Sequence, residues 1–219
     1  MNVLTLKIIA LSSMIIDHYG AIFQNNINLF RIIGRIAFPI YCFLLVEGYF
    51  HTKSIKKYSK RLFIFALISE LPFDLAFYGT LSFKHQNIFF TLLIGLGVIY
   101  LLDNKEKHGI KNGYIFFFSG ILSIILAVDY SLIGIIYIVT FYLSKDYPKE
   151  VRLKRVALIL FLTNLVTLSF TQQFALLALP IIYFYNGELG PKSKPLQMLF
   201  YTAYPLHLLI FYLIKIALN

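Results

Sequence analysis

A chain of 219 residues with 59 % hydrophobic and 14 % charged residues, and a mean hydropathy of +0.76, carries more apolar surface than a soluble core can hide. Its 20 Lys and Arg against 10 Asp and Glu cluster between apolar runs rather than along one polar face, which favours topogenic charge over a nucleic-acid partner. Cys42 is the one cysteine, and with no second thiol or Cys/His cluster beside it a cysteine-based metal site is excluded; no metal is expected.

The composition predicts an all-α, polytopic integral membrane helical bundle forming one domain over 1–219. Apolar stretches approaching the length of a bilayer span, about 17 to 25 residues, fall near 4–23, 31–51, 62–78, 87–102, 113–128, 130–144, 153–170, 172–185 and 196–217. Several are short and the breaks at Asp129-Tyr130 and Thr171-Gln172-Gln173 are minimal, so nine spans are expected, with eight or ten as alternatives. The first stretch lacks a basic leader and a small-x-small cleavage site, and reads as a retained helix rather than a signal peptide.

Short basic loops stay on the cytoplasmic side, and they recur at every second connection. Lys53, Lys56, Lys57, Lys60 and Arg61 lie in one; Lys105, Lys107 and Lys111 in the next; Lys145, Lys149, Arg152, Lys154 and Arg155 in a third; Lys192 and Lys194 in the last. This alternation places the N-terminus in the cytoplasm of a multi-pass cell-membrane protein. The segments 24–30, 79–86, 129–130 and 171–173 then face outside, as does the C-terminus after nine spans.

Ionisable groups at membrane depth are costly and tend to face a bundle interior or a cavity. In the first span these are Asp17 and His18, adjacent and therefore about 100° apart on the helix; the bland alternative is an interfacial pair. In the second, Arg31 and Arg35 sit at i, i+4 near the outer end and Glu47 and His51 at i, i+4 near the inner end, each pair on one face. The arginines break the positive-inside pattern, so acids are expected beside them, while Glu47 and His51 also suit a simple interfacial pair. Glu70-Leu71-Pro72-Phe73-Asp74 puts two carboxylates one turn apart across a proline that is expected to end or kink the third helix. Asn87 and Thr91 follow His85 into apolar sequence, and Asp129 lies at an outer break. Tyr201, Tyr204 and His207 share the last span, where His207 is near mid-membrane, either as a buried histidine bonded to a neighbouring helix or as a second polar anchor or proton acceptor.

No phosphate loop, nucleophile elbow or His-Glu-x-x-His motif is present, so any chemistry is intramembrane. Histidine serves as a general base near neutral pH, which suits acyl transfer from a thioester, with positive groups steadying the oxyanion. The basic loops, Lys53 and Lys57 among them, suit the phosphates of coenzyme A, and equally suit anionic lipid.

At this point the sequence resembles a known family. Leu6 to Leu11 leading to Ile16-Asp17-His18-Tyr19-Gly20, then Arg31 to Pro39, Glu47-Gly48 with His51-Thr52, Ser69 to Asp74, Asn87 to Leu92, Asp129-Tyr130 with Gly134, Tyr185-Asn186-Gly187 and Tyr201 to Leu209 are similar to the TraX family. The resemblance spans nearly the whole chain and implies acetylation of a pilin N-terminus. It is more remotely similar to membrane acyltransferases that acetylate surface sugars, whose first helix carries an arginine eleven residues before a catalytic histidine. Lys7 stands eleven residues before His18, a rise of roughly 16 Å on one helix face; lysine keeps the charge but loses the bidentate fork.

The reading that follows is a membrane acetyltransferase using cytoplasmic acetyl-coenzyme A as co-substrate and lipid bilayer as its medium. Its acceptor is an amine or hydroxyl of an exported peptide, a pilin or a glycan. His18 is the expected catalytic base, with Asp17 supporting its charge directly or through a neighbouring helix. Arg31, Arg35, Glu47, His51, Glu70, Asp74, Asn87, Asp129, Tyr204 and His207 are expected to shape the cavity, and Lys7, Lys53 and Lys57 to bind the donor. Direct transfer and an acetyl-histidine route fit equally. A small proton-coupled transporter or channel is the competing reading, though it predicts inverted repeats that the sequence lacks; a non-enzymatic assembly protein is the third.

Overall fold

The computed structural model describes residues 1–24, 29–191 and 193–218, so the expected loop at 25–28 and the basic Lys192 lie outside the described residues. The elements are α1 (Val3–Phe23), α2 (Leu29–Gly34), α3 (Ala37–His51), α4 (Ile55–Tyr78), α5 (Ile88–Asp103), α6 (Lys105–His108), α7 (Asn112–Ile125), α8 (Ser131–Leu143) and α9 (Lys149–Val166). A 3₁₀ helix η1 (Phe170–Leu177), α10 (Ala178–Tyr183) and α11 (Lys194–Leu218) complete the chain. Among the described residues the fold is all-helical.

Three stretches are long and apolar enough to cross a bilayer: Val3–Phe23, Leu29–His51 and Lys194–Leu218. The apolar helices α5, α7 and α8 and the η1–α10 pair are shorter, and α4 carries Lys56, Lys57, Lys60, Arg61, Glu70 and Asp74. The expectation of nine spans is therefore met in part: each expected stretch is helical, and three qualify by length and composition. Helices α3, α5 and α8 form the centre, with Ile40, Cys42, Leu96, Ile99, Tyr137 and Ile138 almost fully buried. Helix α4 instead exposes Phe63, Ile64, Leu67, Ile68 and Leu71 along one stripe, the pattern of a helix that faces lipid. This is a membrane protein.

Local chemistry explains the element boundaries. Asn2 accepts the Thr5 N–H at 3.0 Å to start α1, Ser54 accepts that of Lys57 at 3.3 Å to start α4, and Asn87 accepts that of Phe89 at 3.0 Å to start α5. The second expected span is two helices, broken at Arg35-Ile36. Pro39 has no N–H for the Arg35 carbonyl and its ring crowds that position, so the chain tightens, with Ile36 N–H donating to Ile33 at 3.3 Å. Pro72 behaves differently from expectation: α4 runs through it and ends at Gly79, which is left-handed at φ 73°. One lost hydrogen bond to Ile68 is tolerable where the surrounding helix is packed, and glycine supplies the true stop. The stretch at 172–185 also differs, because it opens as the 3₁₀ helix η1 instead of a continuous α-helix.

Contacts sort the connections into two ends. At one, Val3 N–H donates to the Glu188 carbonyl at 2.9 Å, Lys149 Nζ to that of Tyr185 at 3.2 Å, and Lys145 Nζ lies 3.8 Å over the Phe50 ring; this is the Lys-rich end. At the other, Gln86 N–H donates to Ala127 at 3.0 Å and Arg35 reaches Tyr130 and Gln172; this is the acid-bearing end.

Helices α5 and α8 pass so closely that a Cβ on Gly134 would sit 2.5 Å from Thr91 Cγ2 and 3.1 Å from Phe38 Cζ, a close approach that small residues permit in membranes. Gly134→Leu is expected to lower stability by about 1–3 kcal/mol through overpacking, read as an earlier unfolding midpoint in detergent; an unchanged midpoint would show that this crossing does not limit stability.

Candidate functional site

Asp17 and His18 are adjacent but face different partners, as their 100° separation requires. Asp17, 9 % exposed, is gripped by two arginines. Arg35 Nη2 donates to Oδ1 at 2.7 Å and to Oδ2 at 2.9 Å; Arg31 Nη1 donates to Oδ2 at 2.7 Å and to the Asp17 carbonyl at 3.2 Å. The broken turn at Arg35-Ile36 lets both side chains converge, and Gly34 makes room, since a Cβ there would lie 2.1 Å from Asp17 Oδ1. The other guanidinium nitrogen of Arg35 donates to Tyr130 Oη at 3.3 Å and Gln172 Oε1 at 3.2 Å. Behind it, Tyr137 Oη donates to Asn164 Oδ1 at 2.5 Å, and Asn164 Nδ2 to the Gln172 carbonyl at 3.0 Å. Tyr130 holds a left-handed backbone, φ 59°, uncommon for a bulky residue, and stacks on Phe38 at 3.8 Å. Of the two expected routes by which Asp17 could support His18, direct contact is absent here, because the arginines take up its carboxylate.

His18 instead meets His207. Nδ1 of His18 lies 2.7 Å from Nε2 of His207, and the rings are within 15° of parallel with centroids 4.9 Å apart. That separation is close to the N···N distance plus both ring radii, so the rings lie edge to edge in nearly one plane, as an in-plane hydrogen bond needs. His207 Nδ1 lies 2.8 Å from the Ala203 carbonyl, which only accepts. The hydrogen-bond pattern therefore assigns the tautomers. His207 carries its proton on Nδ1, its Nε2 accepts from His18 Nδ1–H, and His18 keeps a lone pair on Nε2. Phe77 and Tyr204 stand edge-on to His18, at 5.4 and 5.8 Å.

A cavity of about 440 Å³ runs from the Lys-rich end toward this pair. Lys7, Glu47, His51, Lys53 and Arg61 line its mouth; Met14, Phe89, Leu92 and Tyr204 line its depth. Tyr204, one of those lining residues, also packs edge-on against both histidines, 5.8 Å from His18 and 5.7 Å from His207, so it links the cavity lining to the pair. Glu47 Oε2 accepts from Tyr185 Oη at 3.0 Å, and His51 Nδ1 donates to the Glu47 carbonyl at 2.8 Å. Glu47 and His51 thus belong to the mouth, remote from His18. Lys57 is not part of the lining.

The other acids expected at the site, Glu70, Asp74 and Asp129, gather at the opposite end. Glu70 accepts from the Asn87 backbone at 2.9 Å and from its side-chain amide. Asp74 Oδ2 accepts from Ser82 N–H at 2.9 Å. Thr91 Oγ1 donates to the Asp129 carbonyl, while Asp129 Oδ1 accepts from Tyr130 N–H at 2.9 Å; in this interhelical turn burial pushes the Asp129 carboxyl up to about 6, with Arg35 pulling the other way. Tyr130, Tyr137, Asn164, Arg61 and Gln172 were not singled out as site residues from sequence. Asn164, a lone amide within an apolar helix, was the readable signal; the reach of Tyr130 depends on its backbone twist.

A helical membrane protein that buries a two-histidine relay beside a cation-rimmed cavity is thereby defined. A family model described as TraX protein matches residues 3–215, and the chain belongs to that family. It is similar to the probable fimbrial assembly protein FimC, serogroup H1, of Dichelobacter nodosus, 28 % identical over 229 residues that cover 93 % of this chain and 91 % of that one. It is also similar to an uncharacterised protein of Rickettsia prowazekii (strain Madrid E), 30 % identical over 112 residues, 50 % of this chain and 41 % of that one. No solved structure matches.

Asp17→Ala leaves two inward-facing guanidinium groups without their carboxylate and is expected to cost about 3–5 kcal/mol. The double variant Asp17→Ala, Arg35→Leu should cost less than the two single changes added together, measured by unfolding in detergent; strict additivity would deny the pairing energetic weight.

Proposed function

We propose that this chain is a membrane acetyltransferase of fimbrial or pilin assembly, moving an acetyl group from acetyl-coenzyme A to the terminal amine of an exported peptide. The Lys-rich end faces the cytoplasm, the N-terminus with it, in a nine-span arrangement of the cell membrane that puts the C-terminus outside. The observation that carries this reading is the hydrogen-bond chain in which the Ala203 carbonyl and His207 leave His18 Nε2 with its lone pair, on a ring that packs against Tyr204 of the cavity lining. The name of the Dichelobacter relative supports fimbrial assembly as the setting.

In the reaction, the acceptor amine attacks the thioester carbonyl carbon, so that a C–N bond forms as the C–S bond breaks. His18 Nε2 takes the proton lost by the amine and returns it to the departing thiolate. While protonated, the His18 ring keeps its Nδ1–H on His207 Nε2, whose lone pair stabilises the cation in the way the third member of a triad steadies its histidine. Donor thioester enters past Lys7, Lys53 and Arg61, and the acetyl group reaches His18 when the Tyr204 ring yields.

Purified protein in lipid, given labelled acetyl-coenzyme A and a peptide with a free N-terminus, should acetylate that amine. His18→Ala is expected to reduce turnover about 10²–10⁴-fold, the usual worth of a positioned base, and His207→Phe to reduce it less while leaving donor affinity unchanged. Full activity in His18→Ala, or no transfer to any amine or hydroxyl acceptor by the parent protein, would overturn the reading.

A further inference from the structure

A second cavity, about 390 Å³, opens at the Lys-rich end between the beginnings of α1 and α11, lined by Leu189, Pro191, Lys194 and Gln197 among others. It shares Val3, Lys7, Leu189, Gln197 and Phe200 with the first cavity, so the two form one bent groove. On α11, Gln197, Phe200, Tyr201 and Tyr204 recur at i, i+3, i+4 and i+7 and carry the groove inward. From Val3 to Met14 on α1 it is about 16 Å deep.

Charge and shape along this groove are unequal. Lys7, Lys53, Arg61 and Lys194 surround the junction. Among the described residues none of the four is in an ion pair; Arg61 bonds Tyr201 and lies 5.5 Å over the Tyr58 ring, while its Nε is buried without a hydrogen-bond partner. The second cavity has no acid among its described lining residues, and the first has only Glu47, which already accepts from Tyr185. Phe200 lies 5.5 Å under Lys7 Nζ, giving an aromatic face next to a cation. Beyond the junction the lining turns to Met14, Leu44, Leu62 and Leu92. Such a groove suits a ligand with a bulky, flat, polyanionic head and a thin, mostly uncharged arm.

We infer that the second cavity is the seat of the nucleotide head of the thioester donor, an adenosine bisphosphate bound by Lys7 and Lys194 with its ring against Phe200 and Pro191, while Arg61 and Lys53 meet the phosphates at the turn into the first cavity. The inference rests on the donor reading above and assigns that donor its second binding site. Lys57, expected from sequence to share in donor binding, is left out.

The test is equilibrium binding to the full chain in phosphatidylcholine nanodiscs, with coenzyme A, adenosine 3′,5′-bisphosphate and pantetheine as separate probes. Coenzyme A and the bisphosphate should compete for one site. Lys194→Glu, on an exposed rim where folding is not at stake, should weaken both at least about tenfold, in keeping with loss of a charge-assisted phosphate contact, and leave pantetheine unaffected. Lys7→Ala should act in the same direction. Bisphosphate that binds Lys194→Glu and Lys7→Ala as tightly as the parent, or that fails to compete with coenzyme A, overturns this subsite and leaves the donor reading standing. No binding of coenzyme A overturns both. Loss of bisphosphate binding when phosphatidylglycerol is added to the nanodisc would make the groove a lipid-headgroup seat and overturn the subsite as well.

Discussion

The carboxylate of Asp17 between Arg31 and Arg35 is the interaction on which the other placements rest. Three charges within a helical bundle would each carry a desolvation penalty of several kcal/mol if left alone, so they must meet, and they can meet in one way. Their meeting sets the rotation of α1 about its own axis. Once Asp17 is directed at α2, His18 is turned about 100° away, toward α11, and Lys7, three turns earlier, falls on the His18 side beside Phe200. The surplus donors of Arg35 then reach Tyr130 and Gln172, which ties the α7–α8 turn and η1 to the same point. A shift of α1 by one residue would break the clamp, the histidine pair and the cation at the cavity mouth together.

How much was legible in the sequence varies with the range of the physics. Helices and their order follow from apolar length, and every expected stretch is helical, because a bilayer admits few other ways of satisfying backbone groups. Pairing of Arg31 and Arg35 with acid could be expected from their breach of the charge pattern, but which acid could not. Asp17, Glu70, Asp74 and Asp129 were equivalent until the turn at Arg35-Ile36 aimed the arginines at α1. Pro39 is visible in the sequence, yet its effect on the carbonyl four residues back is not, and Pro72, expected to end or kink its helix, does not end it, since α4 continues to Tyr78 and is capped by Gly79. Direct contact of Asp17 with His18 does not form, because adjacent residues on a helix point about 100° apart and two arginines hold the carboxylate.

The polar residues divide between two kinds of work. Around Arg35 the donors and acceptors of Tyr130, Gln172, Tyr137 and Asn164 match one another, and the left-handed backbone at Tyr130 is the strain accepted to complete the set. Around the groove the reverse holds, with Lys7, Lys53, Arg61 and Lys194 in no ion pair among the described residues. A satisfied network holds helices in register, whereas an unsatisfied set of charges is a preference for something that arrives.

The relay that begins at His18 ends on the carbonyl of Ala203, and an amide oxygen can hold a hydrogen bond without being able to carry the proton onward. A proton that enters at His18 Nε2 has no further acceptor along this line and leaves by the face it came in on. In the proposed reaction the pair is therefore a reservoir of one, filled and emptied within a single turnover, and not a segment of a wire. Acetyl transfer as proposed at this pair would neither spend nor draw upon a proton gradient across the membrane.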